Sequence, residues 1–148
     1  MILKKRLTHV NFLGLINVGK VIEKDKSLVF FPVVDDSDVN SNICGLGIKS
    51  DSRLIAHVFF SIENEISEIY SLAVDPFFRS LGWGKTLLCA AFTYSLNRGC
   101  SICLLQVRVS NYAAIALYEK QNFFVERLLK DYYDRPREDG LEMVCYLG

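Results

Sequence analysis

The segment IYSLAVDPFFRSLGWGKTLL, residues 69–88, decides the fold of this 148-residue chain. Its apolar start ends at an Asp-Pro pair, which is typical of the end of a strand. A turn containing Gly82 and Gly84 then opens a segment with helical spacing of apolar residues, which ends at Gly99. The pattern predicts a strand, a tight turn and a helix whose N-terminus can bind an anion.

The neighbouring segments predict further strands and one more helix. Two apolar runs joined by a polar turn, residues 45–62, predict a β-hairpin, and the apolar run SICLLQVRV predicts a central strand covered on both faces. Ser110 is the predicted N-cap of a second helix, NYAAIALYEKQN. FFVERLLKDYY and LEMVCYL are the predicted closing strands. This order predicts a mixed α/β (α+β) single domain with two crossover helices.

The beginning of the chain has weaker patterns. Residues 7–23 have helical spacing of apolar residues after Thr8, the predicted N-cap. Residues 24–41 contain an apolar SLVFFPVV and an acidic DDSD, and they fit either a second short helix or an irregular loop.

The composition excludes several classes of protein. With 51% hydrophobic and 23% charged residues and a mean hydropathy of +0.21, the chain can bury a core and is not intrinsically disordered. Its 17 basic and 17 acidic residues give zero net charge, which disfavours sequence-independent nucleic-acid binding. No apolar run approaches the ~18 residues of a membrane span, and MILKKRLTH is not followed by the apolar stretch of a signal peptide. We therefore expect a cytoplasmic monomer or homodimer with no nucleic-acid or membrane partner.

The cysteines and histidines do not suggest a metal site. The five cysteines are scattered, and Cys100 and Cys103 form a single C-x-x-C with no second pair to complete a zinc site. His9 and His57 lie far apart in the sequence. We expect no metal, and we interpret the cysteines as small apolar residues.

Three phosphate-binding patterns compete for the glycine turn. A dinucleotide fingerprint fails because Leu87 occupies its third glycine position, and a Walker A loop fails because Arg79 occupies its first. The pattern Arg-x-x-Gly-x-Gly remains, in which the amides of residues 81–85 approach a pyrophosphate and Arg79 adds a cation. The alternative is a strand–turn–helix that needs glycine only for its geometry.

Together with LLQVRVSNYAAIALYEKQNFF, residues 104–124, the opening segment resembles the general N-acetyltransferase (GNAT) superfamily. It is most similar to the ribosomal-protein-alanine N-acetyltransferases, and the likeness runs from Ile48 to Met143, including the tail KDYYDRPREDGLEM. It implies one domain with a central mixed, mostly antiparallel sheet flanked by helices. In that domain, residues 48–148 would form the acetyl-coenzyme A (acetyl-CoA) core and residues 1–47 a diverged acceptor-side region.

The resemblance implies acetyl-CoA as co-substrate and assigns residues to it. The pantetheine arm would pair with the backbone of Leu72, Ala73 and Val74, and Asn111 would hydrogen-bond to it, although Asn111 also fits a plain first-turn residue of the helix. The pyrophosphate would rest beside Arg79 on the residues of the turn, namely Ser80, Leu81, Gly82, Trp83, Gly84 and Lys85.

The resemblance also implies the reaction, in which a primary amine attacks the thioester directly. Tyr118 would protonate the leaving thiolate, or would be only a core aromatic. Tyr132 and Tyr133 would shape the acceptor slot, or would be edge-strand aromatics. The expected acceptor is a protein or peptide N-terminus. The alternatives are a small amine or aminosugar as acceptor, or a non-catalytic acyl-CoA-binding module.

One position departs from the family pattern. The alanine-acetylating enzymes have a glutamate general base in the segment L-E-V-R-x-S-N, where this chain has Gln106, which cannot accept a proton at neutral pH. Strict strand alternation in SEIYSLAV would put Glu68 on the same face as Leu72 and Val74. Histone lysine acetyltransferases look similar here, with a base glutamate just ahead of the cofactor-binding strand residues. We therefore assign the base to Glu68, with an exposed strand-start glutamate as the alternative.

Overall fold

The computed structural model describes residues 21–23, 26–32 and 43–148. The strands are β1 Val21–Glu23, β2 Lys26–Pro32, β3 Ile43–Ser50, β4 Arg53–Glu63, β5 Ile66–Val74, β6 Ile102–Arg108, β7 Phe124–Asp134 and β8 Arg137–Tyr146. The helices are α1 Trp83–Leu96 and α2 Tyr112–Lys120, and a 3-10 turn covers Pro76–Phe78. The strands form one sheet in the order β1-β2-β3-β4-β5-β6-β8-β7.

A wedge opens between the two central strands. β5 and β6 form the one parallel pair among the described strands, and their pairing joins Ile66–Ile69 to Ile102–Leu105. Beyond it β5 continues to Val74 alongside β4, and β6 continues to Arg108 alongside β8, without pairing to each other. Backbone groups on one edge of β5 therefore face the wedge.

A β-bulge in β5 changes the face of the sheet on which the following side chains lie. Phe59 is paired with Ser71 and Phe60 with Ile69, so Tyr70 is an extra residue on β5. After the bulge, Leu72 packs against the core, as does Val74. Glu68 and Tyr70 lie on the other face, where Tyr70 contacts Ser61. The predicted alternation that put Glu68 on the face of Leu72 and Val74 is therefore wrong. One inserted residue moves every side chain that follows it to the opposite face of the sheet.

Both helices pack on the same face of the sheet, which holds the core. Leu87 and Leu88 of α1 are fully buried there, and Tyr118 of α2 belongs to the same cluster. The two buried serines of this layer are paired, since Ser95 Oγ donates to Ser67 Oγ at 2.9 Å. Along β6 the residues alternate between buried on the helical face and half-buried on the other, so the predicted cover on both faces is present but unequal.

Most predicted elements from residue 43 onward are confirmed: the hairpin, the central strands, both helices and the closing strands. Two details differ. Asn111, not Ser110, is the N-cap of α2, because the Asn111 side chain accepts from the Ala114 amide while the Ser110 amide donates to Glu138. α1 ends at Leu96, and the predicted stop at Gly99 follows it in the left-handed conformation.

Earlier in the chain the predictions are less accurate. The predicted helix over 7–23 lies outside the described residues except for Val21–Glu23, which is a strand. Residues 26–32, predicted as a short helix or loop, form a strand because they pair along their whole length with β3. In the described part of the chain, no helix is long and apolar enough to cross a membrane, and no cluster of His, Cys, Asp or Glu could hold a metal.

Candidate active site

The glycine turn, residues 79–85, joins the end of β5 to the start of α1. Gly82 is the residue before the helix and has a left-handed φ of +88°, and Ser80 also has a positive φ, +62°. The carbonyl of Gly82 accepts from both the amide and the hydroxyl of Thr86, each at 3.0 Å. Arg79 donates from Nε to the Val74 carbonyl at 3.1 Å, which holds its guanidinium beside the end of β5. The turn thus presents a helix N-terminus next to a cation.

The two glycines of the turn are required for different reasons. A Cβ at Gly82 would meet no atom within 4 Å, so Gly82 is needed for its backbone conformation. A Cβ at Gly84 would lie 3.1 Å from Leu117 Cδ2, so Gly84 is needed for close packing of α1 against α2. With no side chain at Gly82 the helix start is uncovered at that residue, and this fits a bound pyrophosphate.

The wedge between β5 and β6 fits an extended, amide-rich ligand. The predicted pantetheine residues Leu72, Ala73 and Val74 lie on the part of β5 that pairs with β4 but not with β6. Their backbone can therefore accept an added strand-like chain. The structure thus brings the predicted pantetheine edge and the predicted pyrophosphate turn together, as the two ends of one surface.

Asn111 caps α2, in addition to its predicted role of hydrogen-bonding to the pantetheine arm. Its Oδ1 accepts from the Ala114 amide at 3.3 Å and so caps α2. The carboxamide NH₂ is the group that could contact a ligand, since the side chain is exposed.

Tyr118 lies in α2 on the helical side of the wedge. Its side chain is only 7% exposed, and its ring packs edge-on against Phe123 with centroids 5.6 Å apart. Burial, with smaller contributions from Tyr133 and Cys103, raises the pKa of Tyr118 to about 12. The phenol is therefore protonated at neutral pH, which is the form that a general acid needs.

Glu68 lies on the opposite face of the sheet, at the point where β5 and β6 diverge. Gln106 Nε2 donates to Glu68 Oε1 at 3.2 Å, and the Tyr70 hydroxyl donates to Oε2 at 3.4 Å. The Tyr70 hydroxyl is 3.0 Å from Ser61 Oγ, and burial raises the pKa of Tyr70, so it remains a proton donor. The carboxylate of Glu68 is thus held by neutral donors.

The row of polar side chains continues across the sheet. Gln106 Nε2 also lies 3.5 Å from Glu142 Oε2, and Arg127 Nε donates to Glu142 Oε1 at 3.0 Å. We call this row the carboxylate network; its members are Ser61, Tyr70, Glu68, Gln106, Glu142 and Arg127. Glu142 and Arg127 are not among the predicted site residues. The register of β8 with β6 and β7 brings these two residues to the network, and a single sequence does not reveal that register.

The predicted acceptor tyrosines lie at a bulge in β7. Leu129 pairs with Gly140 and Tyr133 with Glu138, so three residues of β7 oppose one residue of β8. Burial, and then the charges of Glu68 and Glu142, raise the pKa of Tyr132, so its phenol is within electrostatic range of both carboxylates. The Arg108 guanidinium lies over the ring of Tyr133, with 4.3 Å between Arg108 Cζ and the ring centroid.

The arrangement places an acid and a carboxylate on the two sides of one opening. Tyr118 lies on the helical face of the sheet and Glu68 on the other, with the unpaired edge of β5 between them. A thioester held along that edge would have a proton donor on one side and a proton acceptor on the other. Glu68 and the predicted pantetheine residues lie along β5 at this opening, and Tyr118 lies on the helical side of the sheet.

Comparison with known proteins identifies the family. The acetyltransferase (GNAT) family matches residues 22–123, more than half of the chain. The chain belongs to the GNAT family. Membership confirms the predicted fold and the predicted enzyme class, an N-acetyltransferase that uses acetyl-CoA.

Named relatives within the GNAT family point to one subgroup. The [ribosomal protein bS18]-alanine N-acetyltransferase of Haemophilus ducreyi is 39% identical over 105 residues, which cover 69% of this chain and 72% of that one. The enzyme of the same name from Salmonella typhimurium is 34% identical over 66% of this chain, which spans 64% of that enzyme's length. The crystal structure of the ribosomal-protein-S18-alanine N-acetyltransferase from Escherichia coli superposes with a TM-score of 0.69 at 27% identity, covering 76% of this chain and 74% of that one.

Proposed function

We propose that this protein acetylates the N-terminal α-amine of a protein or peptide, with acetyl-CoA as donor. The observation that carries the proposal is the opening between β5 and β6, with Glu68 on one face and the buried, protonated Tyr118 on the other. The names of the relatives at 34–39% identity support a protein N-terminus as acceptor.

The residues that would hold acetyl-CoA follow from the surfaces described above. The edge of β5 at 72–74 would pair with the pantetheine arm, Asn111 would donate to it, and the glycine turn with Arg79 would bind the pyrophosphate. Acetyl-CoA supplies an acetyl group activated as a thioester. In this proposal residues 48–148 form the donor-binding core and residues 1–47 contribute to the acceptor side.

In this proposal, two side chains carry out the two proton transfers of the reaction. An α-amine has a pKa of about 7.7–8.0, so a part of the acceptor is cationic at neutral pH and must lose a proton before it can attack. Glu68 would take that proton, directly or through one water, and Tyr118 would protonate the departing sulfur. Tyr132 and Tyr133 would line the acceptor slot beside Glu68. We propose the cytoplasm as the site of action and a monomer or homodimer as the active form.

The experiment is mass spectrometry after incubation with acetyl-CoA, with thiol release measured in parallel. The substrates are peptides beginning with alanine, the same peptides with a blocked N-terminus and an internal lysine, and a panel of small amines and aminosugars. We expect acetylation of the free N-terminus and none of the blocked peptides. Acetylation of only small amines would overturn the acceptor class. Binding of acetyl-CoA without thiol release from any substrate would show a non-catalytic binding module instead.

A further inference from the structure

We propose that Gln106 is a positioning residue that orients the proton acceptor Glu68 by bridging it to Glu142. This assignment rests on the proposed function of Glu68 as general base. Gln106 stands in the segment where the resembling family has its glutamate, so the position has exchanged a proton acceptor for a hydrogen-bond donor.

The geometry of the bridge fixes the orientation of the Gln106 amide. Nε2 lies 3.2 Å from Glu68 Oε1 and 3.5 Å from Glu142 Oε2, and an amide nitrogen carries two hydrogens while a carboxylate only accepts. The carbonyl oxygen of Gln106 cannot replace the nitrogen there without repulsion. The bridge therefore holds Oε1 of Glu68, and Tyr70 holds Oε2.

The far end of the bridge is anchored. Glu142 accepts from Arg127 Nε at 3.0 Å and from Nη2 at 3.4 Å, and Glu142 is the register partner of both Gln106 and Arg127. Glu142 is neutralised by this pair, whereas within the described residues Glu68 makes no ion pair. The negative charge that remains is thus located at Glu68, where the acceptor amine must lose its proton.

The charges around Glu68 explain why a donor is needed at position 106. A carboxylate there would lie within hydrogen-bond distance of two others, and like charges so close together favour protonation of one of them. Within the described residues, the ionisable groups near Glu68 are Tyr70 on β5, Glu142 on β8, and Arg127 and Tyr132 on β7, with Glu63 of β4 beyond Tyr70 and Cys103 of β6 on the helical side of the sheet. Arg127 is the only cation in this set, and it is bound to Glu142.

The test compares pH–rate profiles of kcat/KM for five enzymes: wild type, Glu68→Gln, Gln106→Leu, Gln106→Glu and the swap Glu68→Gln/Gln106→Glu. Thr93→Glu, on the exposed side of α1, controls for one added negative charge. Calorimetry of acetyl-CoA binding checks that each variant folds and keeps its donor site. The acceptor is an alanine-starting peptide.

We expect each Gln106 variant to bind acetyl-CoA as wild type does. Gln106→Leu should lose roughly tenfold in kcat with KM little changed, because the base is present but no longer oriented. Gln106→Glu should move the acidic limb to higher pH and lose about tenfold or more at pH 7. The swap should lose about 100-fold or more at every pH, because a carboxylate at 106 does not replace the base at 68.

Three outcomes would overturn the assignment. Gln106→Glu more active than wild type at pH 7, or a swap that keeps most of the activity, would make position 106 a working base position. Gln106 variants identical to wild type, beside an inactive Glu68→Gln, would make Gln106 a bystander and leave the proposed function standing. No turnover by wild type with any amine would overturn the proposed function and this assignment together.

Discussion

The glycine turn and the carboxylate network lie on two sides of the same opening but are built in opposite ways. The turn is one continuous stretch of seven residues, 79–85, whose geometry follows from two glycines and one helix start. The network takes its members from five strands, and Gln106 is 38 residues from Glu68 and 36 from Glu142 along the chain. A local turn can be recognised by its pattern, whereas the network depends on strand register.

The difference predicts how each region responds to change. Substitutions in the turn should weaken donor binding, beyond any loss of stability that a strained glycine elsewhere would also cause, because the proposed contact of the turn is with the donor. Substitutions in the network should affect the rate and its pH dependence while acetyl-CoA still binds. A network variant that weakened acetyl-CoA binding as much as a turn variant would contradict this division.

The largest effect is expected at Glu68. Glu68→Gln should lose about 100-fold or more in kcat/KM at neutral pH and should lose the acidic limb of the profile, because the neutral amide cannot accept the proton of the amine. Calorimetry should show unchanged acetyl-CoA affinity. Glu126→Gln, which removes an exposed carboxylate of β7, is the matched control and should behave as wild type. Full activity in Glu68→Gln would move the proton acceptor to water or to another group.

Tyr118→Phe should come next, with a loss of roughly 100-fold in kcat and normal acetyl-CoA binding, because only the proton donor is removed. Tyr146→Phe, at an exposed position of β8, is the control. An unchanged kcat would mean that Tyr118 only packs against the core.

The same tyrosine predicts a stability effect at high pH. Its pKa is about 12 in the folded protein, against about 10 in an unfolded chain, so folding favours the protonated form. This contribution is complete below pH ~10 and is lost as pH rises towards ~12. Thermal unfolding followed from pH 9 to 11.5 should show a smaller alkaline loss of stability in Tyr118→Phe than in wild type.

A smaller effect is expected in the turn. Gly82→Val should weaken acetyl-CoA binding at least tenfold, about 1.4 kcal/mol, because it strains a left-handed residue and covers the amides at the helix start. Gly99→Val is a matched control, since Gly99 has a φ of +83° and open space around it but lies beyond the other end of α1. Both variants should lose similar stability, and only Gly82→Val should lose affinity in calorimetry. Wild-type affinity in Gly82→Val would remove the turn from the donor site.

The smallest effect is expected at Gly140. A Cβ there would lie 3.1 Å from the Tyr133 ring and 3.2–3.3 Å from the Tyr132 side chain, so Gly140→Ala should shift both tyrosines. We expect a severalfold higher KM for the peptide, with the KM for acetyl-CoA unchanged, in steady-state kinetics. A change confined to the acetyl-CoA KM would argue against an acceptor slot at these tyrosines.

Periodicity and turn residues were sufficient to predict most elements from residue 43 onward, because each apolar pattern there matches the period of its element. They failed at residues 26–32, where an apolar run is a strand only because β3 pairs with it. They also failed at the cap of α2, where Ser110 and Asn111 are both good capping residues and the contact of the Ser110 amide with Glu138 decides between them.

The sequence by itself determined the glycine turn, the order of the elements from residue 43 onward and the family, because these depend on residues that are close together in the chain. Only the tertiary structure decided which way Glu68 faces, what Gln106 touches and where Tyr132 lies. One extra residue at Tyr70 reverses the facing of β5, and Tyr132 lies at a bulge in β7. Such bulges depend on the partner strand, so a single strand's sequence does not reveal them. The proton acceptor and its orientation are therefore properties of the whole sheet.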